Sequence, residues 1–186
     1  MGMALNRHHF TVDDFNFLHD QGKFKPDDRL ELIEGEIYEM SPIGSLHARC
    51  VKYLSNFLAQ CLAGQYIIGT QDPIILNDFN QPQPDIAVIR YQQDFYKQSH
   101  PKAADVLLVI EVSDTTVELD RNIKFPKYAA ARIPEAWLVD LPAEQIEVHS
   151  HLQDKTYGMV KIYQRGDEVV SSTMPGIKFS VDDILG

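Results

Sequence analysis

Apolar side chains recur along this chain with two periods. Leu46, Cys50, Tyr53, Leu54, Phe57, Leu58, Cys61 and Leu62 follow one another at the spacing of one helical face, and Gly64 stands where such a helix stops. Elsewhere the apolar runs are strand-sized. They predict strands over 66–76, 84–90, 105–112, 135–140 and 145–150, separated by turn-rich pieces such as Asn77-Asp78-Phe79-Asn80. A second long helix is predicted between Leu119 and Arg132. Pro126 should kink it or delay its start to Phe125, because proline cannot donate the amide its turn requires.

Toward the N-terminus, Thr11-Val12-Asp13-Asp14 reads as a helix start. The threonine hydroxyl can cap a free amide, and the acids suit the positive end of the helix dipole; the helix should end near Gly22. After a polar link at Pro26-Asp27-Asp28, Leu30 to Met40 reads as two short strands around Glu34-Gly35, where glycine accepts the positive φ of a tight hairpin. A hairpin-like tail, Tyr157 to Tyr163 and Glu168 to Ser171, should add edge strands, and Ser180 to Leu185 a capped turn of helix. This order predicts an α/β fold: a mixed central β-sheet flanked by helices, with an N-terminal helix and β-hairpin extension. The extension covers residues 1–44, the core 45–150 and the C-terminal strands 151–186. The length suggests one domain over residues 1–186.

Composition changes the picture little. With 44% hydrophobic and 24% charged residues, gross disorder is excluded. No apolar run approaches the length of a membrane span, and Met1 to Arg7 lacks the apolar core of a secretory signal, so a cytoplasmic protein with no membrane partner is expected. Cys50 and Cys61 both fall on the predicted helix, which indicates neither a disulfide framework nor a zinc ribbon. A net charge of -10 argues against broad nonspecific binding to phosphate backbones. Bound metal ions would offset local carboxylates, and a dimer would gather scattered basic residues in one groove. Arg121, Lys124, Lys127 and Arg132, on or beside one helix, are the local candidates for phosphate contact; a solvated face accounts for them equally well. Glycine-rich phosphate loops, nucleophile elbows and paired-histidine zinc motifs are absent. Trp137 and Tyr128 read as core, and no role falls to His8 or His9.

The residues that can carry chemistry are acids at strand ends. Asp85 follows Pro84 at the start of one apolar strand, and Glu111 ends the β-branched run Val106 to Ile110. If those strands lie side by side, the two carboxylates can share a divalent cation, since hard cations take carboxylate and carbonyl oxygens. Two strand-end acids touching water is the plainer alternative. Strand alternation puts Ser113 on the side of Glu111 and Val112 on the other. On the following helix, Asp120, Lys124 and Tyr128 succeed one another at four-residue spacing, with the acid ahead of the base. A solvated Asp120–Lys124 pair is the plainer alternative there. His47 shares a helix side with Val51, Leu54 and Leu58, where a packed histidine is the commoner finding. Glu34 and Glu36 flank the hairpin glycine and suit an exposed turn.

Taken together, Pro84-Asp85, Glu111-Val112-Ser113, and Asp120 with Lys124 before Tyr128 resemble the PD-(D/E)XK nuclease superfamily. The framing segments extend the likeness: Glu31-Leu32-Ile33-Glu34-Gly35-Glu36, Met40-Ser41-Pro42, His47, Tyr128-Ala129, and Ile133 to Asp140. More closely, the chain resembles a large bacterial family of restriction endonuclease-like domains of unknown function, from Phe10 to Val148. The resemblance implies a restriction endonuclease-like fold and an endodeoxyribonuclease that hydrolyses DNA phosphodiester bonds with Mg²⁺ or Mn²⁺. It implies Asp85, Glu111 and the Val112 carbonyl as metal ligands and Lys124 in the part of the catalytic lysine. Glu31 or Glu36 could approach the ion if the hairpin folds over the sheet end, and His47 could supply the polar group that such folds bring from this helix. The chain departs from the founding motif at Ser113, where that motif carries lysine. DNA is the implied partner, and a homodimer is expected because duplex DNA offers two related strands. Two other classes remain open. One is a catalytically inactive module of the same fold that binds nucleic acid or protein; the other is a two-carboxylate glycoside hydrolase, which needs a sugar-sized cleft lined with aromatics.

Overall fold

In a computed structural model that describes residues 7–25 and 27–186, the Asp14 amide donates to Thr11 Oγ1 at 3.1 Å and the Thr11 amide to Asp14 Oδ2 at 2.9 Å. This reciprocal cap starts α1 (Val12–Asp20). The leader reading of Met1 to Asn6, and Pro26 of the polar link, lie outside the described residues. Strands β1 (Leu30–Ile33) and β2 (Glu36–Glu39) form the predicted hairpin, with Glu34 at φ 53° and Gly35 at φ 75°. Positive φ at both turn residues matches the twist of the flanking strands.

Helix α2 (Ser45–Cys61) precedes β3 (Tyr66–Thr70), β4 (Ile86–Arg90) and β5 (Val106–Ser113). A helical crossover leads to β6 (Ala136–Asp140), β7 (Gln145–Gln153) and β8 (Thr156–Gln164). These six strands form one sheet in the order β3-β4-β5-β6-β7-β8, mixed because β5 and β6 run parallel while the other pairs are antiparallel. Strand alternation divides the core. Ile86, Leu108, Ile110, Val112, Trp137 and Val139 face α2, whereas Ala87, Val109 and Leu138 face Phe125 and Tyr128 of the crossover. Glu111 and Ser113 belong to the crossover side.

Three elements differ from expectation. β3 stops at Thr70 because Gln71 takes a left-handed φ of 56°, so residues 71–76 are not strand. β9 (Glu168–Val170) leaves the central sheet and pairs with β10 (Lys178–Ser180), a strand too short for periodicity to reveal; α5 (Val181–Leu185) follows under a Ser180 cap. The crossover is not one helix but α3 (Val117–Leu119), a π-helical turn (Asp120–Lys124) and α4 (Phe125–Ala130). Pro126 accounts for the π-turn. It has no amide for the Asn122 carbonyl and its ring crowds that group, so the backbone widens and the Phe125 amide donates to Asp120 O, five residues back.

Both cysteines are free thiols, and no helix among the described residues is long and apolar enough to cross a membrane. The C-terminal segment is pinned by one buried carboxylate. Glu135, fully inaccessible, accepts Trp137 Nε1–H at 2.6 Å, the Ser172 and Thr173 amides at 2.7 and 3.0 Å, and the Ser172 hydroxyl. Removing it strands several buried donors, so Glu135→Ala should lower unfolding free energy by about 3 kcal/mol. Trp137 is the only tryptophan, and its fluorescence in urea titration measures the loss.

Candidate active site

Strand register brings the two acids together. Ile86 of β4 sits opposite Ile110 of β5, so one residue further along the ladder Asp85 faces Glu111. The Val112 amide donates to Asp85 Oδ2 at 2.9 Å. Neither acid is a hydrated strand end, for they are only 5% and 3% exposed.

Lys124 is buried beside them. Its Nζ lies 2.9 Å from Glu111 Oε1, 3.2 Å from Glu31 Oε2 and 3.6 Å from Asp120 Oδ1, which replaces the picture of a solvated helix lysine. Asp120 Oδ2 in turn accepts Ser113 Oγ–H at 2.5 Å and Thr116 Oγ1–H at 2.8 Å, and Tyr128 donates its phenol to Glu111 Oε1 at 2.5 Å. The π-turn presents Asp120 and Lys124 to the sheet. Between them Arg121 latches that turn from its other side, reaching Glu147 of β7 at 2.6 and 3.2 Å, Asp140 of β6 at 3.1 Å and Glu118 at 2.8 Å. Lys127 pairs with Glu34. Three of the four basic residues considered for phosphate contact are thus engaged within the chain.

Glu31 arrives by a longer route. Leu32 and Gln81 exchange backbone hydrogen bonds of 3.2 and 2.8 Å, the Glu34 amide donates to Asn80 Oδ1, and the Phe10 amide to Gly35 O. These contacts fold the hairpin over the sheet end, where Glu31 also accepts the Gln83 amide at 3.3 Å. Glu36 does not join the cluster, because its carboxylate turns to Arg7 at 3.2 Å and to Tyr38 at 3.1 Å. His47 Nε2 lies 3.0 Å from Asp85 Oδ2, and its buried Nδ1 has no partner among the described residues. Two contacts escaped the sequence reading. Tyr128 had the right spacing but was assigned to packing alone, and Gln71, which donates to Asp85 Oδ1 at 3.0 Å, carried no motif or periodicity.

Negative charge exceeds positive in this buried space. Burial pushes the Glu111 carboxyl up to about 8; Asp120, Asp85 and Glu31 add to the rise and Lys124 opposes it. Burial also works against the Lys124 ammonium, but Glu111, Glu31 and Asp120 outweigh it and hold the lysine charged. The Tyr128 phenol is raised well above its ordinary value by burial and by Glu111, so it remains a donor. For Asp85, burial is overcome by the hydrogen bonds from His47, Gln71 and Val112, and the carboxyl sits below its ordinary value. A cleft of about 230 Å³ opens onto the group between Met40, Pro42 and Ile43 on one side and Asp114 to Thr116 on the other. No three Asp, Glu, His or Cys side chains among the described residues converge as a ready cation site.

A mixed sheet flanked by helices thus carries a buried carboxylate–lysine cluster at its rim. The chain belongs to the Uma2 family, described as "Putative restriction endonuclease", whose model matches residues 12–182. Among solved structures, it is similar to a crystal structure of a "putative nuclease belonging to DUF820" from Anabaena variabilis, with a TM-score of 0.74 and 15% identity over 95% of this chain and 97% of that one. At that identity the likeness is one of fold. No curated protein matches the chain.

The Arg121 latch has a pH signature. Burial raises the Glu147 carboxyl, but Arg121 and His149 outweigh it and hold it below the ordinary value of 4.5. Such a group stabilises the fold above its unfolded-state value, and that stabilisation disappears as pH falls through the lower folded-state value. Glu147→Gln should cost about 2 kcal/mol at neutral pH. Urea midpoints should show the gap between variant and wild type narrowing as pH falls below 4.5.

Proposed function

We propose that the chain is a divalent-metal-dependent endonuclease hydrolysing DNA phosphodiester bonds, with Asp85, Glu111 and the Val112 carbonyl as ligands of Mg²⁺ or Mn²⁺ and Lys124 as the catalytic lysine. The observation that carries this reading is the facing pair of Asp85, one residue before β4, and Glu111 on the adjoining β5, with the Lys124 ammonium 2.9 Å from Glu111. The donor set fits the ion: two carboxylates and a carbonyl are hard ligands, and Mg²⁺ normally keeps several of its waters. The charge fits as well, because a divalent cation offsets the neighbouring carboxylates that add to the burial-driven rise of Glu111. When bound, such an ion polarises the phosphate and lowers the pKa of a water.

The chain's own residues do the rest. His47, Gln71 and the Val112 amide keep Asp85 anionic and oriented, while Tyr128 holds Glu111. Glu31 and Asp120 hold Lys124, which exchanges one of its carboxylate neighbours for a phosphate oxygen as charge develops there. Ser113, standing where the founding motif has lysine, donates to Asp120 and so supports the helix lysine indirectly. A twofold homodimer would place two such sites on the two strands of a duplex.

One observation favours a binding module of the same fold instead. Three carboxylates surround the Lys124 ammonium, at 2.9, 3.2 and 3.6 Å, and a phosphate oxygen would have to compete with them for it. A glycoside hydrolase is disfavoured by the small cleft, in which Tyr38 is the one phenol or indole. Incubation of the purified chain with plasmid DNA and Mg²⁺ or Mn²⁺ separates the readings. Metal-dependent nicking should appear, and Asp85→Asn or Glu111→Gln should reduce it by about a thousandfold with the circular dichroism spectrum unchanged. Undiminished nicking by both variants would refute the ligand assignment, and absence of nicking by the wild type would favour the binding module.

A further inference from the structure

Gln71 is the one residue that grips Asp85 by both backbone and side chain. Its amide donates to Asp85 O at 3.1 Å, and its side-chain Nε2–H donates to Asp85 Oδ1 at 3.0 Å. It does so from a left-handed backbone, φ 56°, a conformation natural to glycine and tolerated by asparagine but strained for glutamine. Seven other non-glycine residues among those described also take a positive φ, so the two hydrogen bonds to Asp85 are what set Gln71 apart. Neither tolerant residue would serve here, because glycine has no amide to offer and the asparagine side chain is one methylene shorter.

The two oxygens of Asp85 are not equivalent. Oδ2 faces two partners, the Val112 amide at 2.9 Å and His47 Nε2 at 3.0 Å, which occupy its lone pairs. Oδ1 has Gln71 alone among the described residues, so one lone pair stays open. We propose that Oδ1 is the oxygen Asp85 presents to the cation and that Gln71 is its positioning residue. The carboxylate plane is fixed by donors on both oxygens, and Oδ1 is the one with a lone pair to spare. This inference rests on the metal-dependent reading above and adds to it which oxygen binds and what aims it.

Calorimetric titration of the full chain with Mn²⁺ tests the assignment using Gln71→Gly and Gln71→Leu. The glycine variant relieves the backbone and removes the amide; the leucine variant keeps the strain and the bulk but cannot donate. Both should bind Mn²⁺ about 10- to 100-fold more weakly, as loss of a group orienting a metal ligand does. Gln71→Gly should nonetheless melt no lower than wild type, a separation of affinity from stability that a purely structural role does not produce. Wild-type affinity in either variant would overturn the proposal. If the wild type itself takes up no Mn²⁺, the metal-dependent reading fails, and crystal structures of wild type and Gln71→Leu decide the positioning role alone: a rotated Asp85 carboxylate supports it and an unmoved one refutes it.

Discussion

A single ammonium group, sequestered from water among three carboxylates, organises the rim of this sheet. Glu31 comes from the hairpin, Glu111 from the central strand β5, and Asp120 from the same π-turn as Lys124 itself. Burying a charge is costly unless it is paired and hydrogen-bonded. The hairpin, the sheet and the crossover therefore have to meet at one point, and much of the surrounding architecture serves that meeting. The exchange between Leu32 and Gln81 holds the hairpin, the parallel β5–β6 pair sets the height of the crossover, and Arg121 ties the π-turn to β6 and β7.

The same cluster depends on local chain chemistry. Pro126 would be a defect in a regular helix. Here it widens the backbone by one residue and leaves the preceding turn free to face the sheet with both Asp120 and Lys124. Burial, with the neighbouring acids adding to it, pushes Glu111 toward protonation, while Asp85 escapes that tendency through donated hydrogen bonds. Two carboxylates one strand apart thus have opposite electrostatic characters, set by their neighbours.

Much of this was legible from residue order. The helix α2, the hairpin at Glu34-Gly35, the strand that Asp85 immediately precedes, the strand that carries Glu111 and the disturbance at Pro126 each left a local signal of periodicity, turn chemistry or a missing amide. Side-chain alternation was enough to put Ser113 beside Glu111. Contacts made by distant segments were not legible in the same way. Glu31 and Glu36 share one face of the hairpin, yet its docking over the sheet end buries the first against Lys124 and leaves the second, beside the turn, to Arg7. Gln71 was invisible because its left-handed backbone follows from no local residue preference, and β10 because three residues carry no period.

The parallel pairing of β5 with β6 has a consequence in time. Those strands can join only after the whole crossover between them has been made and folded back, and closing so long a loop delays contacts that adjacent hairpins form quickly. Glu111, Lys124 and the hairpin that brings Glu31 accordingly assemble late, once most of the sheet exists. A nascent or half-folded chain carries its acids dispersed and hydrated, so the cell would meet this buried cluster only in finished molecules.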